Sequence, residues 1–92
     1  PIGIKVSDDE YAKINIFPNP FIKTATLEIM NSEIQYFDLN FQAFDLFGRE
    51  VLKIKIKDQK SEIYRGNLSI GTYFYKVVSQ NKILGEGKLM IE

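Results

Sequence analysis

Leu39-Asn40-Phe41-Gln42-Ala43-Phe44-Asp45-Leu46-Phe47-Gly48-Arg49-Glu50-Val51-Leu52-Lys53-Ile54-Lys55-Ile56-Lys57 is the stretch that decides the fold. Leu39, Phe41 and Ala43 alternate with Asn40, Gln42 and Phe44. Side chains of period 2 mark a strand with one buried face. After Val51 the alternation resumes, with Leu52, Ile54 and Ile56 set against Lys53, Lys55 and Lys57. The lysines read as the wet face of the return strand rather than as a phosphate-binding stripe. Between the two runs, Asp45 to Arg49 reads as a turn. Gly48 supplies a residue that takes positive φ without steric cost. An Asp at a strand end accepts hydrogen bonds from backbone two residues on, and Asp45 is assigned that role ahead of general-base chemistry. Residues 39–57 are therefore predicted to form a hairpin.

On the N-terminal side, Ile14 and Ile16 alternate with Lys13 and Asn15. Pro18-Asn19-Pro20 ends that run, because a proline gives no N–H to a ladder and fixes its own backbone. A second strand is predicted from Thr24 to Met30, with Leu27 and Ile29 on one face. Asn31 to Phe37 reads as a loop. On the C-terminal side, Asp58-Gln59-Lys60 is a polar turn and Ser61 to Tyr64 a short strand, broken by Gly66-Asn67. Leu68 is expected to plug the end of the core. Gly71 opens the run Thr72-Tyr73-Phe74-Tyr75-Lys76-Val77-Val78, rich in the β-branched and aromatic residues that strands favour. Alternation turns Tyr73, Tyr75 and Val77 inward and Phe74 outward. Gln80-Asn81 is a turn and Lys82 to Ile91 the last strand, where Gly85 and Gly87 suggest a bulge or kink. About seven strands, with no 3.6-residue period, predict an all-β fold: an immunoglobulin-like antiparallel β-sandwich lacking the Cys pair and Trp of antibody domains.

Composition limits what such a domain does. The chain has 92 residues, 45% of them hydrophobic and 13% aromatic. That suffices for one core, which at this size buries roughly 60–65% of the unfolded surface. Residues 13–92 are read as the domain and residues 1–12, with the acidic run Asp8-Asp9-Glu10, as a linker. The chain begins at Pro1 rather than Met and carries no signal peptide, so a longer parent protein is expected. Twelve basic residues balance twelve acidic ones, which is not the electrostatic footprint of nucleic-acid binding. No Cys and no His are present. Thiol nucleophiles, His-based triads and imidazole or thiolate metal sites are excluded. No cofactor is expected. No apolar run approaches the length of a spanning helix, so no direct membrane insertion is expected. Gly85-Glu86-Gly87-Lys88 lacks the spacing and the following helix of a P-loop. Tyr73, Phe74 and Tyr75 offer weak support for a sugar-stacking platform, and an accessory module that binds carbohydrate or mediates adhesion is the alternative reading.

Four segments carry a resemblance. They are Ile16-Phe17-Pro18-Asn19-Pro20-Phe21, Asp45-Leu46-Phe47-Gly48-Arg49-Glu50-Val51, the run from Leu68 to Val77, and Gly87-Lys88-Leu89-Met90-Ile91. In order and spacing, over about residues 13–92, they resemble the type A C-terminal sorting domain of the type IX (Por) secretion system of Bacteroidetes. The resemblance implies an immunoglobulin-like sandwich that acts as an address label and not as an enzyme. It implies that the upstream cargo of the same chain reaches the periplasm, that an outer-membrane translocon recognises the folded label, and that a cell-surface sortase usually removes it. The cargo would then lie at the cell surface or outside the cell. By position in the family pattern, the candidate recognition residues are Pro18, Asn19, Pro20, Gly48, Arg49, Gly71, Tyr73, Gly87, Lys88 and Leu89. The chain departs from the pattern at its acidic ending, Met90-Ile91-Glu92, where many members end with a basic residue. Cleavage is expected before the domain, within residues 1–12.

Overall fold

Inward residues on the first strand of the predicted hairpin are sealed from solvent, and on the return strand Ile56 is sealed while Leu52 and Ile54 are half-buried. Leu39, Phe41 and Ala43 are buried in the computed structural model, while Lys53, Lys55 and Lys57 are exposed. The structure describes residues 13–30, 38–80 and 82–92. The expected linker 1–12, the expected loop 31–37 and Asn81 of the expected turn lie outside the described residues.

Seven strands are described: β1 (Ile14–Phe17), β2 (Thr24–Ile29), β3 (Leu39–Phe44), β4 (Glu50–Lys55), β5 (Lys60–Tyr64), β6 (Gly71–Ser79) and β7 (Lys82–Ile91). They form two antiparallel sheets, ordered β1-β2-β5 and β4-β3-β6-β7. In the constant-type immunoglobulin arrangement the fourth strand joins the sheet of the first two. Here it stays paired with β3, because the short turn at 45–49 holds the hairpin together. β4 ends two residues before the predicted Lys57. Ile56 still donates its N–H to the Leu39 carbonyl (2.8 Å) and remains buried.

Both inner faces meet in one core, whose largest sealed side chains include Phe21, Phe41, Leu27, Leu39 and Leu89. Leu68 packs against it, as its expected plugging role requires. Phe21 belongs to no strand, yet it is buried beside Ile91 through a parallel backbone bridge.

The glycines of β7 divide their work. Val77 pairs with Gly85 and Val78 with Ile83, so Leu84 is the extra residue of a bulge and turns into the core. Gly87 answers a different need. A Cβ built there would lie 2.8 Å from the Tyr75 hydroxyl and 2.9 Å from its ring. The Tyr75 ring is stacked on Phe41 with centroids 5.5 Å apart, and burial pushes its hydroxyl above its ordinary pKa of 10.0. A second shift of register leaves Val51 unpaired, between Leu52 opposite Ala43 and Glu50 opposite Phe44.

Because the ring that fills the space over Gly87 is stacked on Phe41, a methyl group at Gly87 must push it off that stacking. Gly87→Ala is therefore expected to cost about 1–3 kcal/mol through overpacking. Chemical denaturation measures this, and an unchanged midpoint would show that Tyr75 moves aside freely.

Candidate functional site

Antiparallel pairing gathers the predicted motifs at one end of the sandwich. β1 and β3 end there, β2, β4 and β6 begin there, and Gly71 pairs with Ile91 of β7. The connections 18–23, 45–49 and 65–70 consequently lie around the end of the last strand.

The first connection is fastened to the last strand. β6 satisfies one edge of β7, and the other edge would present unpaired backbone groups. Asn19 meets two of them with one side chain. Its Nδ2 donates to the Lys88 carbonyl (3.0 Å), and its Oδ1 accepts the Met90 N–H (2.9 Å). Two residues on, the Phe21 N–H donates to the Met90 carbonyl (3.0 Å) and the Glu92 N–H to the Phe21 carbonyl (2.9 Å). A carboxamide has one donor end and one acceptor end, so it takes the place of a peptide group in a ladder. Pro18 and Pro20, which flank it, are exposed, and the Phe17-Pro18 and Asn19-Pro20 bonds are both cis.

The second connection is built on Asp45. Its Oδ1 accepts the N–H groups of Phe47 and Arg49 (both 2.9 Å), and its Oδ2 accepts the Arg49 Nε–H (2.8 Å). Backbone bonds from Gly48 N–H to the Asp45 carbonyl (3.0 Å) and from Asp45 N–H to the Arg49 carbonyl (2.9 Å) close the turn. Gly48 takes φ 83°, a conformation other residues rarely adopt. The backbone N–H of Arg49, and with it the Arg49 side chain and the Phe47 N–H, holds the Asp45 carboxyl below its ordinary pKa of 3.8, while desolvation pulls the other way.

The third connection turns on Tyr73. Its hydroxyl donates to the Ser69 carbonyl (2.7 Å), four residues upstream, and lies 3.3 Å from the Ser69 hydroxyl. A tyrosine near the start of this strand, bonded back to upstream backbone, is the tyrosine corner of immunoglobulin-like sandwiches. Arg65 ties this connection to the first. Its Nε–H donates to the Leu68 carbonyl (2.7 Å) and its Nη1 to the Ile22 carbonyl (3.4 Å).

The ten predicted residues thus share one end of the fold but not one environment. Pro18, Asn19, Pro20, Gly48, Arg49 and Lys88 are exposed, Gly71 and Gly87 are half-buried, and Tyr73 and Leu89 lie in the core. Gly71, at φ 152°, opens β6 after the corner. What the sequence reading missed is apolar. Leu46, Phe47 and Ile70 stand 66%, 84% and 68% exposed, with Ile22 nearby on the first connection. Two large apolar residues inside a tight Asp-to-Gly turn were the available signal. Among the described residues no group of acidic side chains is placed to hold a metal. Tyr73 and Tyr75 point inward, so they form no exposed sugar-stacking platform, and the carbohydrate alternative is unsupported.

A family model for the secretion system C-terminal sorting domain matches residues 15–92. The chain belongs to this family. The sorting domain is a C-terminal signal for type IX secretion, which carries proteins through the outer membrane to the cell surface or the extracellular space, and membership implies interaction with that system. The family is not one of enzymes. A search of the curated proteins returns no match for the chain.

Two outcomes test the geometry of this end. Asn19→Ala should cost about 1–2 kcal/mol, the net worth of two hydrogen bonds. Hydrogen exchange should speed up at the Met90 amide while the Glu92 amide, held by Phe21, stays protected. Equal protection of Met90 in wild type and variant would show that Asn19 does not fasten β7. For Asp45 the folded pKa is the depressed one. Its contribution to the sorting domain is complete above the ordinary value of 3.8 and fades as pH falls through the lower folded value. The Phe47 and Arg49 amide resonances should therefore titrate together, with a midpoint below 3.8.

Proposed function

We propose that the domain works as a folded address label, read in the periplasm by the outer-membrane type IX translocon and then usually removed by a cell-surface sortase. The match to the sorting-domain family over residues 15–92 carries this reading. Residues 1–12 serve as the linker to the upstream cargo and contain the cleaved bond. The label has no activity of its own. Its partners act on it through protein–protein contact at the end where Pro18, Asn19, Pro20, Gly48, Arg49 and Lys88 are exposed. Gly71, Tyr73, Gly87 and Leu89 act by shaping that end. Loops held on a rigid scaffold are where recognition residues concentrate, which supports this division.

The test is a fusion of residues 1–92 to a periplasmic reporter in a type IX-competent host. Export of the reporter is expected, and a reporter that stays periplasmic would refute the function. Deletion of residues 88–92 removes Leu89 and Ile91 from the core together with the partners of Asn19 and Phe21. Export should be blocked, and normal export of the truncated fusion would place the signal elsewhere in the chain.

A further inference from the structure

Phe47 is the most exposed large apolar side chain described, and it sits on one of the most firmly built turns of the molecule. One carboxylate, Asp45, accepts three hydrogen bonds from the turn, and two backbone bonds close it. Arg49 lies over the Phe47 ring, with its guanidinium carbon 5.4 Å from the centroid. An aromatic ring held out in water gains nothing for the fold, whereas a fixed ring loses little freedom when a partner covers it. Aromatic residues and arginine are also the side chains that dominate protein interfaces when they are packed and desolvated.

The surroundings define the partner. Hollows of about 720 and 370 Å³ flank the turn. The first is lined by Phe44, Phe74 and Ile83, and the second by Val51, Leu68 and Ile70. Lys76, Glu86 and Lys88 share the first lining, and Asn67, Ser69 and Thr72 share the second, which Phe47 itself borders. A projecting ring beside concave surfaces of such mixed chemistry fits a protein with a pocket and ridges of its own better than it fits a flat lipid surface. The charge at this end is mixed: with the Asp45–Arg49 pair set aside, Lys23, Arg65 and Lys88 stand among Glu50, Glu86 and Glu92, which is not the uniformly basic face that an anionic lipid surface attracts. Arg49 uses its Nε on Asp45 and stays 74% exposed.

We infer that Phe47 is a preorganised docking knob, which enters an apolar pocket on a protein of the export machinery, and that Arg49 meets carboxylates on the rim of that pocket. This rests on the sorting function proposed above and names the surface that is read. The knob is separate from the fastening of β7 by Asn19, so the two are separable by mutation.

The experiment uses the 1–92 reporter fusion. Phe47→Ala should leave the thermal midpoint within a few degrees of wild type, as exposed positions do, and should lower exported reporter at least tenfold. Phe47→Leu should retain part of the export. Asp45→Ala, which frees the turn without removing the ring, should give an intermediate loss. Wild-type export of Phe47→Ala would overturn the inference while leaving the sorting function intact. A wild-type fusion that stays periplasmic would instead overturn the sorting function and this inference with it. Binding of the 92-residue chain to phosphatidylglycerol-containing vesicles, abolished by Phe47→Ala, would assign the ring to a lipid surface and overturn the protein pocket.

Discussion

The outer edge of β7 is the constraint on which the rest depends. A strand at the rim of a sheet carries backbone groups that only another strand, a side chain or water can satisfy. Here the segment from Asn19 to Phe21 satisfies those from Lys88 to Glu92, partly with backbone and partly with a side-chain amide. Meeting that demand draws the exit of β1 across to the far end of the chain and lowers Phe21 into the core beside Ile91. The two sheets are closed over each other at that end as a result. The other rims are managed more simply. β1 is four residues long and runs into Pro18, while β4 and β5 carry lysines at 53, 55 and 60. Short or charged edges deter unwanted pairing without a partner.

The parts of the fold legible in the sequence are those fixed by near neighbours. Alternation in 39–44 and 51–56 specified the hairpin, because each side chain's face follows from its parity along one strand. The same logic placed Tyr73 and Val77 in the core and Phe74 outside. β7 has the predicted bounds, Lys82 to Ile91, even with two glycines inside it. Strand ends were less legible. Lys57 has the right pattern for β4 but lies beyond the last paired residue, since pairing depends on where β3 begins.

Distant contacts left no such trace. Pro18-Asn19-Pro20 read as a stop to β1, which it is, yet nothing local shows that the Asn19 amide fits between the backbone groups of Lys88 and Met90. Phe21 lacks alternating neighbours, so its burial depends on a pairing that the local pattern does not contain. Gly87 looked like a bulge residue, and the bulge falls instead at Leu84, because the space over Gly87 belongs to the Tyr75 ring. At the candidate site the motif positions could be read locally, but which of them stand exposed and which lie in the core came from the packing. Tyr73 sits in the core and still governs the end, through its bond to Ser69. Leu46 and Phe47 were legible in principle, since apolar residues within a five-residue turn have no inner face to turn toward.

Asn19 and its two partners are 69 and 71 residues apart in the chain. Such a contact closes nearly the whole domain into a single loop, and it is impossible while the last strand is still unsynthesised. A ribosome that stalls, or a protease that trims the tail, leaves the first motif with nothing to hold. The end of the sandwich that gathers the motifs is therefore finished only once β7 has been made, and the first motif takes its place no earlier than the last strand does.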